Sequence, residues 1–373
     1  MSSPLPDAVP LGEVRRALIT KLRHHGDVLL TSPVFAVLKR AAPHVEIDAL
    51  VYAETAPMLA NHPAIAAIHT IDREWKRRGA WRQAAAEWAL VKQLRARRYD
   101  LLLHLTPHPR GLTLAHLLRP RYAVTHERDG RATAWRHAFT HFYKTPAHTP
   151  RHTVETNLDA LRRIGVYPGT DDRGLVLVPG EAAAASAAAM LARHGLATSP
   201  FVHAHPGSRW LFKCWPPERM AALLDHVAGQ GLAIVVTGAP DAREKEILTA
   251  TLSACAESTR ARIADLSGRL TMAELAAVAA RARAFVGVDS APMHIAAAMG
   301  TPALALFGPS SGEVWGPWQV AHRVVSSDAH PCRPCNLDGC GGGKVSECLT
   351  TLPAARAIAA FDALLRETGG GAR

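Results

Sequence analysis

Along most of the chain, short runs rich in Val, Ile, Leu and Phe alternate with longer runs in which Ala and Leu recur every three or four residues. The short runs lack polar alternation, the pattern of strands covered on both faces, and the longer ones have the period of helices with one apolar side. Such alternation predicts an α/β protein with parallel sheets. In the first half, strands are expected at residues 14–22, 46–51, 65–71, 100–105 and 122–125, with helices at 32–40, 82–97 and 153–164. In the second half, strands are expected at 175–178, 201–204, 232–237, 261–266, 284–288 and 303–307, with helices at 181–194, 217–228, 243–254, 272–280 and 292–299. A last helix, 352–367, precedes the tail GGGAR, which is expected to be disordered.

Between the two series, GVYPGTDDRG (165–174) gathers Gly, Pro and Asp behind a helix that ends at a Gly, and reads as a linker. A chain of 373 residues exceeds what one core usually holds. The expected organisation is therefore an amino-terminal domain at 14–168, a carboxyl-terminal domain at 174–348 and a closing helix at 351–367. Two βα series of similar size imply a cleft between domains, and parallel sheets bind ligands beyond the carboxyl ends of their strands.

The turns behind strands carry the candidate chemistry. After the first strand comes Lys21-Leu-Arg-His-His-Gly26-Asp27-Val28, with one Gly where a dinucleotide fingerprint needs three, which disfavours a nicotinamide or flavin site. Gly26 permits close backbone approach, and Asp27 stands where a carboxylate serves either as a general base or as the N-cap of the next helix. Behind residues 201–204, Gly207 and Ser208 offer N–H groups and a hydroxyl to an anion. Lys213, set between Phe212 and Trp215, is either a point charge for a phosphate or a surface lysine. Behind 284–288, Asp289-Ser290-Ala291-Pro292-Met293-His294 opens a helix with Ser290 as N-cap and Pro292 in the first turn. The positive end of that helix suits a diphosphate, and His294, one turn after Ser290, is expected on the same exposed face. Gly238, Asp241 and Glu244 follow a further strand, where a carboxylate either takes ribose hydroxyls or stays unused.

Composition adds a partner class. With 48% hydrophobic and 20% charged residues, and no run near the roughly 20 apolar residues of a membrane span, the chain reads as a soluble globular protein. MSSPLPDAVPLGEV has no basic region followed by an apolar one, so secretion is not expected, and sparse Cys suit an intracellular protein. The formal charge of +11 falls in one block: residues 73–144 carry 16 Lys and Arg against five acids, and the remainder is neutral. The block implies an anionic partner, whether nucleic acid, an acidic membrane surface or a phosphorylated substrate, or else only solvated helix faces.

Together, KLRHHGDVLLTSPVF, HPGSRWLFKCWP, GVDSAPMHIAAAMGTPALALFGP and HPCRPCNLDGC resemble the ADP-heptose:lipopolysaccharide heptosyltransferases of glycosyltransferase family nine, most of all the branch called heptosyltransferase III. The likeness spans roughly residues 14–365. It implies a GT-B fold, two Rossmann-like parallel-sheet domains facing across a cleft, with the last helix crossing back to the first domain. It further implies an inverting, metal-independent enzyme that needs no cofactor and moves heptose from ADP-L-glycero-D-manno-heptose to a heptose of the lipopolysaccharide inner core. The acceptor is then expected on the first domain and the donor on the second. Carried onto this sequence, the resemblance makes Asp27 the catalytic base beside Gly26, and Ser208 and Lys213 the phosphate ligands. Glu244 becomes the acid near the ribose, and Asp289, Ser290, Ala291 and His294 the segment that holds heptose and diphosphate. Other members carry a pair of hydroxyl residues where this chain has Gly207-Ser208, so one side-chain contact differs. An acceptor linked to lipid A turns the basic block into an expected grip on phosphates and on an anionic membrane. The protein is then expected in the cytoplasm, peripheral on the inner face of the inner membrane, with no nucleic-acid partner.

Cys332-x2-Cys335-x4-Cys340-x7-Cys348 opens with the spacing of a structural zinc site, but its later gaps do not fit, leaving zinc or reduced thiols as alternatives. Two other readings compete. A basic nucleic-acid-binding protein would stack bases on Trp75, Trp81, Trp88, Tyr99, Tyr122, Trp135 and Tyr143, although Trp81 and Trp88, seven apart on a helix, suit a core equally. A GT-B relative with another nucleotide sugar, or an epimerase, fits the same fold; Asp27 on the acceptor side favours transfer.

Overall fold

In the computed structural model, which describes residues 5–106, 108–127, 133–146 and 149–369, the apolar runs become two six-stranded sheets. The first holds β1 (Arg16–Lys21), β2 (Glu46–Tyr52), β3 (Ala67–Ile71), β4 (Leu101–His104), β5 (Tyr122–His126) and β6 (His141–Tyr143), in the order β3-β2-β1-β4-β5-β6. The second holds β7 (Phe201–His205), β8 (Ala233–Val236), β9 (Ile263–Asp265), β10 (Ala284–Val288), β11 (Ala303–Phe307) and β12 (His322–Ser326), in the order β12-β11-β10-β7-β8-β9. All ten pairings are parallel. Counted within its own unit, each sheet has the doubly wound order 3-2-1-4-5-6. The winding reverses between β1 and β4 and again between β7 and β10, and a ligand crevice opens at such a reversal.

Every residue of β4, β7, β10 and β11 is buried, as are the last five of β1. Helices cover both faces, so the strands need no polar alternation. The two strands absent from the expected set are edge strands. β6 has three residues, and β12 is His-Arg-Val-Val-Ser with Val325 alone buried. Three residues are too few for β6 to show a period, and the polar ends of β12 blunt its edge and weaken its hydrophobic signal.

The chain divides into two compact units, 1–178 and 179–373. The expected linker lies inside the first of them. Arg173 Nη1 donates to Glu155 Oε1 at 2.8 Å, the Val176 N–H to Ser32 Oγ at 2.9 Å, and Asn61 Nδ2 to the Val178 carbonyl at 3.0 Å. Residues 175–178 therefore do not form the expected strand: bonds involving side chains, not a sheet edge, satisfy their backbone. The closing helix, Ala354–Gly369, is grouped with the second unit. Its Ala357, Phe361 and Leu364 are fully buried in one core with Leu223, Val227, Val286 and Leu306. Trp215 Nε1 and Arg219 both donate to the Leu352 carbonyl just before it. The GGGAR tail lies outside the described residues after Gly369.

One buried carboxylate anchors the first unit's longest helix, Ala80–Arg97. Asp48 in β2 accepts from Arg97 Nε and the Tyr99 hydroxyl, each at 2.7 Å. Burial pushes its carboxyl up, and the bonds from His69, Arg97 and Tyr99 outweigh burial and hold it at about 2.

Candidate functional site

In the second unit, loops meet at the reversal between β7 and β10. The chain leaves β7 through Pro206-Gly207-Ser208 and enters a short turn at Leu211–Lys213. Lys213 Nζ lies 2.6 Å from Oδ2 of Asp289, the first residue behind β10. Ser310, behind β11, donates its hydroxyl to the same oxygen of this buried carboxylate. One side chain thus ties together the loops of three neighbouring strands. Ser208 is buried, and its Oγ accepts the Trp210 N–H at 3.3 Å.

The helix Ala291–Ala298 carries Pro in its first turn as expected, and Ser290 takes the N-cap position with extended backbone. Its side chain does not cap the helix, and its buried Oγ has no hydrogen-bond partner among the described residues. Leaving a buried hydroxyl unpaired costs on the order of 1–3 kcal/mol. Here the orphan stands at the positive end of a helix, where anions are accepted. Ala291 opens this turn. His294 does not share an exposed face as expected. Residues 292–297 are all buried against β10, β11 and the helix Met272–Arg281, and His294 is 4% exposed.

Glu244, in the first turn of the helix Ala242–Ala254, is buried; its Oε2 accepts the Ala239 N–H at 3.0 Å and lies 3.6 Å from His205 Nε2. Burial pushes this carboxyl up, but His205 and the Ala239 N–H hold it below the ordinary Glu range. A Cβ on Gly207 would stand 2.8 Å from Glu244 Oε2, so the absence of a side chain lets the β7 loop and Glu244 lie together. Glu244 also lines a pocket of about 390 Å³ with Gly238, Ala239, Ser267 and Gly268, beyond the carboxyl ends of β8 and β9. That volume suits a small ligand. The Asp241 carboxylate is already engaged, accepting the N–H groups of Arg243 and Glu244 at 3.0 and 3.3 Å as the helix cap.

In the first unit, Gly26 and Asp27 are themselves helical, within His25–Leu29, so Asp27 is not a cap. Its Oδ1 lies 3.6 Å from Arg23 Nε, and its side chain is largely buried. Lys21, at the end of β1, is buried as well; its Nζ donates to the Leu105 carbonyl behind β4 at 3.2 Å and to Asn157 Oδ1 at 3.0 Å. Asn157 donates in turn to the Leu30 carbonyl at 3.0 Å. Burial pushes the Lys21 ammonium down to about 8, Arg23 adds to the fall, and Asp27 opposes it. A hollow of about 520 Å³ in this unit lies elsewhere, over Ala53, Pro57 and Ile65, and its lining carries no titratable group.

The structure sets the sequence candidates Lys213, Asp289, Ser290 and Glu244 on turns of the second unit behind β7, β10 and β8; Lys21, Ser267 and Ser310 are not among them. Lys21 ends β1, and Gly308-Pro309-Ser310 follows β11, so the same rule of looking behind strands reaches both. The four Cys weighed above as zinc ligands or reduced thiols form no disulfide. Among the described residues no three His, Cys, Asp or Glu are arranged to hold a metal ion. Cys332 and Cys340 are exposed while Cys348 is buried, and burial pushes the Cys348 thiol up. Of the aromatics in the basic block, Tyr99, Trp135 and Tyr143 are buried, whereas Trp81 and Trp88 are exposed and not core. No helix among the described residues is long and apolar enough to cross a membrane.

Two doubly wound units, one with a carboxylate behind its first strand and the other with an unpaired hydroxyl at a helix start and a pocket over Glu244, define a GT-B-like fold. The chain belongs to glycosyltransferase family 9, the heptosyltransferases, whose family model matches residues 87–345, and it is a glycosyltransferase. It is 33% identical over 347 residues to lipopolysaccharide heptosyltransferase 3 of Escherichia coli, covering 92% of this chain and 97% of that one. The crystal structure of a family 9 glycosyltransferase from Veillonella parvula superposes with a TM-score of 0.80 at 25% identity, covering 97% of this chain and 99% of that one. An E. coli heptosyltransferase solved with ADP-2-deoxy-2-fluoro heptose shares the fold, with a TM-score of 0.67 at 20% identity over 94% of this chain and 99% of that one.

Proposed function

We propose that the protein moves heptose from ADP-L-glycero-D-manno-heptose to a heptose of the lipopolysaccharide inner core by one displacement that inverts the anomeric carbon. The observation that carries this reading is the Ser290 hydroxyl, buried and unpaired at a helix start whose neighbour Asp289 holds Lys213. A diphosphate there would give the hydroxyl an acceptor, lie at the positive end of the helix and meet the Lys213 ammonium. The pocket over Glu244, Ser267 and Gly268 would take the nucleoside, with Glu244 on the ribose. Asp289, Ala291 and His294 complete the donor segment. Ser208 adds its hydroxyl to the phosphates.

On the acceptor side, Asp27 takes the proton of the attacking heptose hydroxyl as that oxygen bonds to the anomeric carbon and the bond to ADP breaks. The mechanism asks that Asp27 and the donor segment meet at the reacting carbon during turnover. Charge on the departing diphosphate falls on Lys213 and the helix start, so the reading needs no metal or cofactor. The acceptor is the lipid A-linked oligosaccharide, its phosphates met by the basic block at 73–144, which puts the enzyme peripherally at the cytoplasmic face of an anionic membrane. Calorimetry with ADP, UDP and GDP, followed by linkage analysis of the product from ADP-heptose and a deacylated inner-core acceptor, tests all of this. ADP should bind best and the new linkage should be inverted; preference for UDP or GDP, or release of an epimerised sugar, overturns the reading.

A further inference from the structure

The helix Ala80–Arg97 packs on one side only. Leu94 is buried, Leu90 packs against the same core, and Glu87 is held by Arg110 at 2.8 Å. On the other side Trp81 is 90% exposed and Trp88 63%. Seven residues apart, they lie on one line along the helix, and Ala84, Ala85, Lys92 and Arg95, all exposed, complete that face. It contains no acid, since Glu87, the helix's one carboxylate, points away. Nearby, Arg73, Arg77 and Arg78 pair with Glu54, Glu74 and Asp72. Lys76, Arg82, Lys92 and Arg95 are exposed and make no ion pair among the described residues.

We propose that this face is the element by which the protein enters the headgroup layer of an anionic bilayer, with Trp81 and Trp88 inserted and the four unpaired cations on the lipid phosphates. Indoles prefer the membrane interface, where ring and N–H are both accommodated, and Lys and Arg stems lie along apolar surface while their charges reach out. Two indoles separated by alanines offer far less than the roughly 800 Å² a stable protein partner would cover, which sets a second copy of the chain aside. The inference rests on the reading that the acceptor is lipid-linked, and it names the surface that would bring the enzyme to it.

The test uses the full chain with vesicles of phosphatidylethanolamine and phosphatidylglycerol, against vesicles of phosphatidylcholine alone, and reads the bound fraction by co-sedimentation. Wild type should bind the anionic vesicles. The double variant W81S/W88S should bind about tenfold more weakly, and K92E/R95E should lose about fivefold per charge. With a deacylated, water-soluble acceptor, W81S/W88S should keep wild-type kcat and KM. Equal vesicle binding by wild type and W81S/W88S overturns the proposal, as do equal binding to both vesicle types, no binding by wild type, or a dimer that W81S/W88S abolishes. Failure of wild type to glycosylate the soluble acceptor would instead remove the functional reading, while the vesicle result still decides the membrane face.

Discussion

Lys213 Nζ and Asp289 Oδ2 lie 2.6 Å apart, joining the loop behind β7 to the loop behind β10 at the reversal of the second sheet. An ammonium largely out of water is held on a carboxylate until a stronger anion arrives, and a largely desolvated pair of this kind adds little net stability by itself. A diphosphate would draw the ammonium away, leaving Asp289, still fixed by Ser310, for a sugar hydroxyl. Cation and carboxylate would thus each gain a ligand group in one exchange.

Lys213→Met should therefore weaken ADP binding and lower kcat by on the order of 10²–10³. Asp289→Ala should add less in the Lys213→Met background than in wild type, because the two side chains act on one another. Kinetics and ADP calorimetry on the four members of the cycle measure this; strictly additive losses would mean that the pair has no joint role.

Asp27→Asn should cost on the order of 10²–10⁴ in transfer, the range for a lost general base, with ADP affinity unchanged. Asp27 lies in the first unit, and the donor turn belongs to the second. Single-turnover transfer beside ADP titration checks it, and near-normal turnover would remove Asp27 from the mechanism.

Gly207→Ala puts a methyl group 2.8 Å from Glu244 Oε2 and should drive that carboxylate off the Ala239 N–H and His205. The displaced group is the end of a flexible side chain, so the fold should survive while ADP affinity falls about tenfold, near the worth of one charge-assisted hydrogen bond. Unchanged ADP binding with a normal melting temperature would take Glu244 out of the nucleoside pocket.

Lys21 makes stability depend on pH in a set direction. Its folded value of about 8 lies below its ordinary 10.5, so between these limits the unfolded chain keeps a proton that the folded chain has released. Stability from this site is then lowest below pH 8 and rises through the window, by on the order of 2–3 kcal/mol. Urea denaturation of wild type and Lys21→Met across the window should show the gap moving in favour of wild type as pH rises. Parallel curves would mean that the ammonium is not buried as described.

The sequence alone determined the class of the fold, because short, mostly apolar runs such as β10 and β11 alternate with runs of helical period, as in an α/β protein. It also determined that Asp27, Ser208, Lys213 and the 289–294 segment sit behind strands, since loop position follows directly from element order. What it left open were matters of distance between segments remote in the chain. An edge of three residues such as β6 is too short to show a period, the polar ends of β12 blunt its signal, and an apolar stretch such as 175–178 looks the same whether a strand or side chains satisfy its backbone. The tertiary structure alone decided that Lys213 meets Asp289 and Ser310 and that Lys21 is buried under Asn157. It also turned Trp81 and Trp88 outward and brought the closing helix onto the second core. Helical periodicity says which residues share a face; only packing determines whether that face meets protein or solvent.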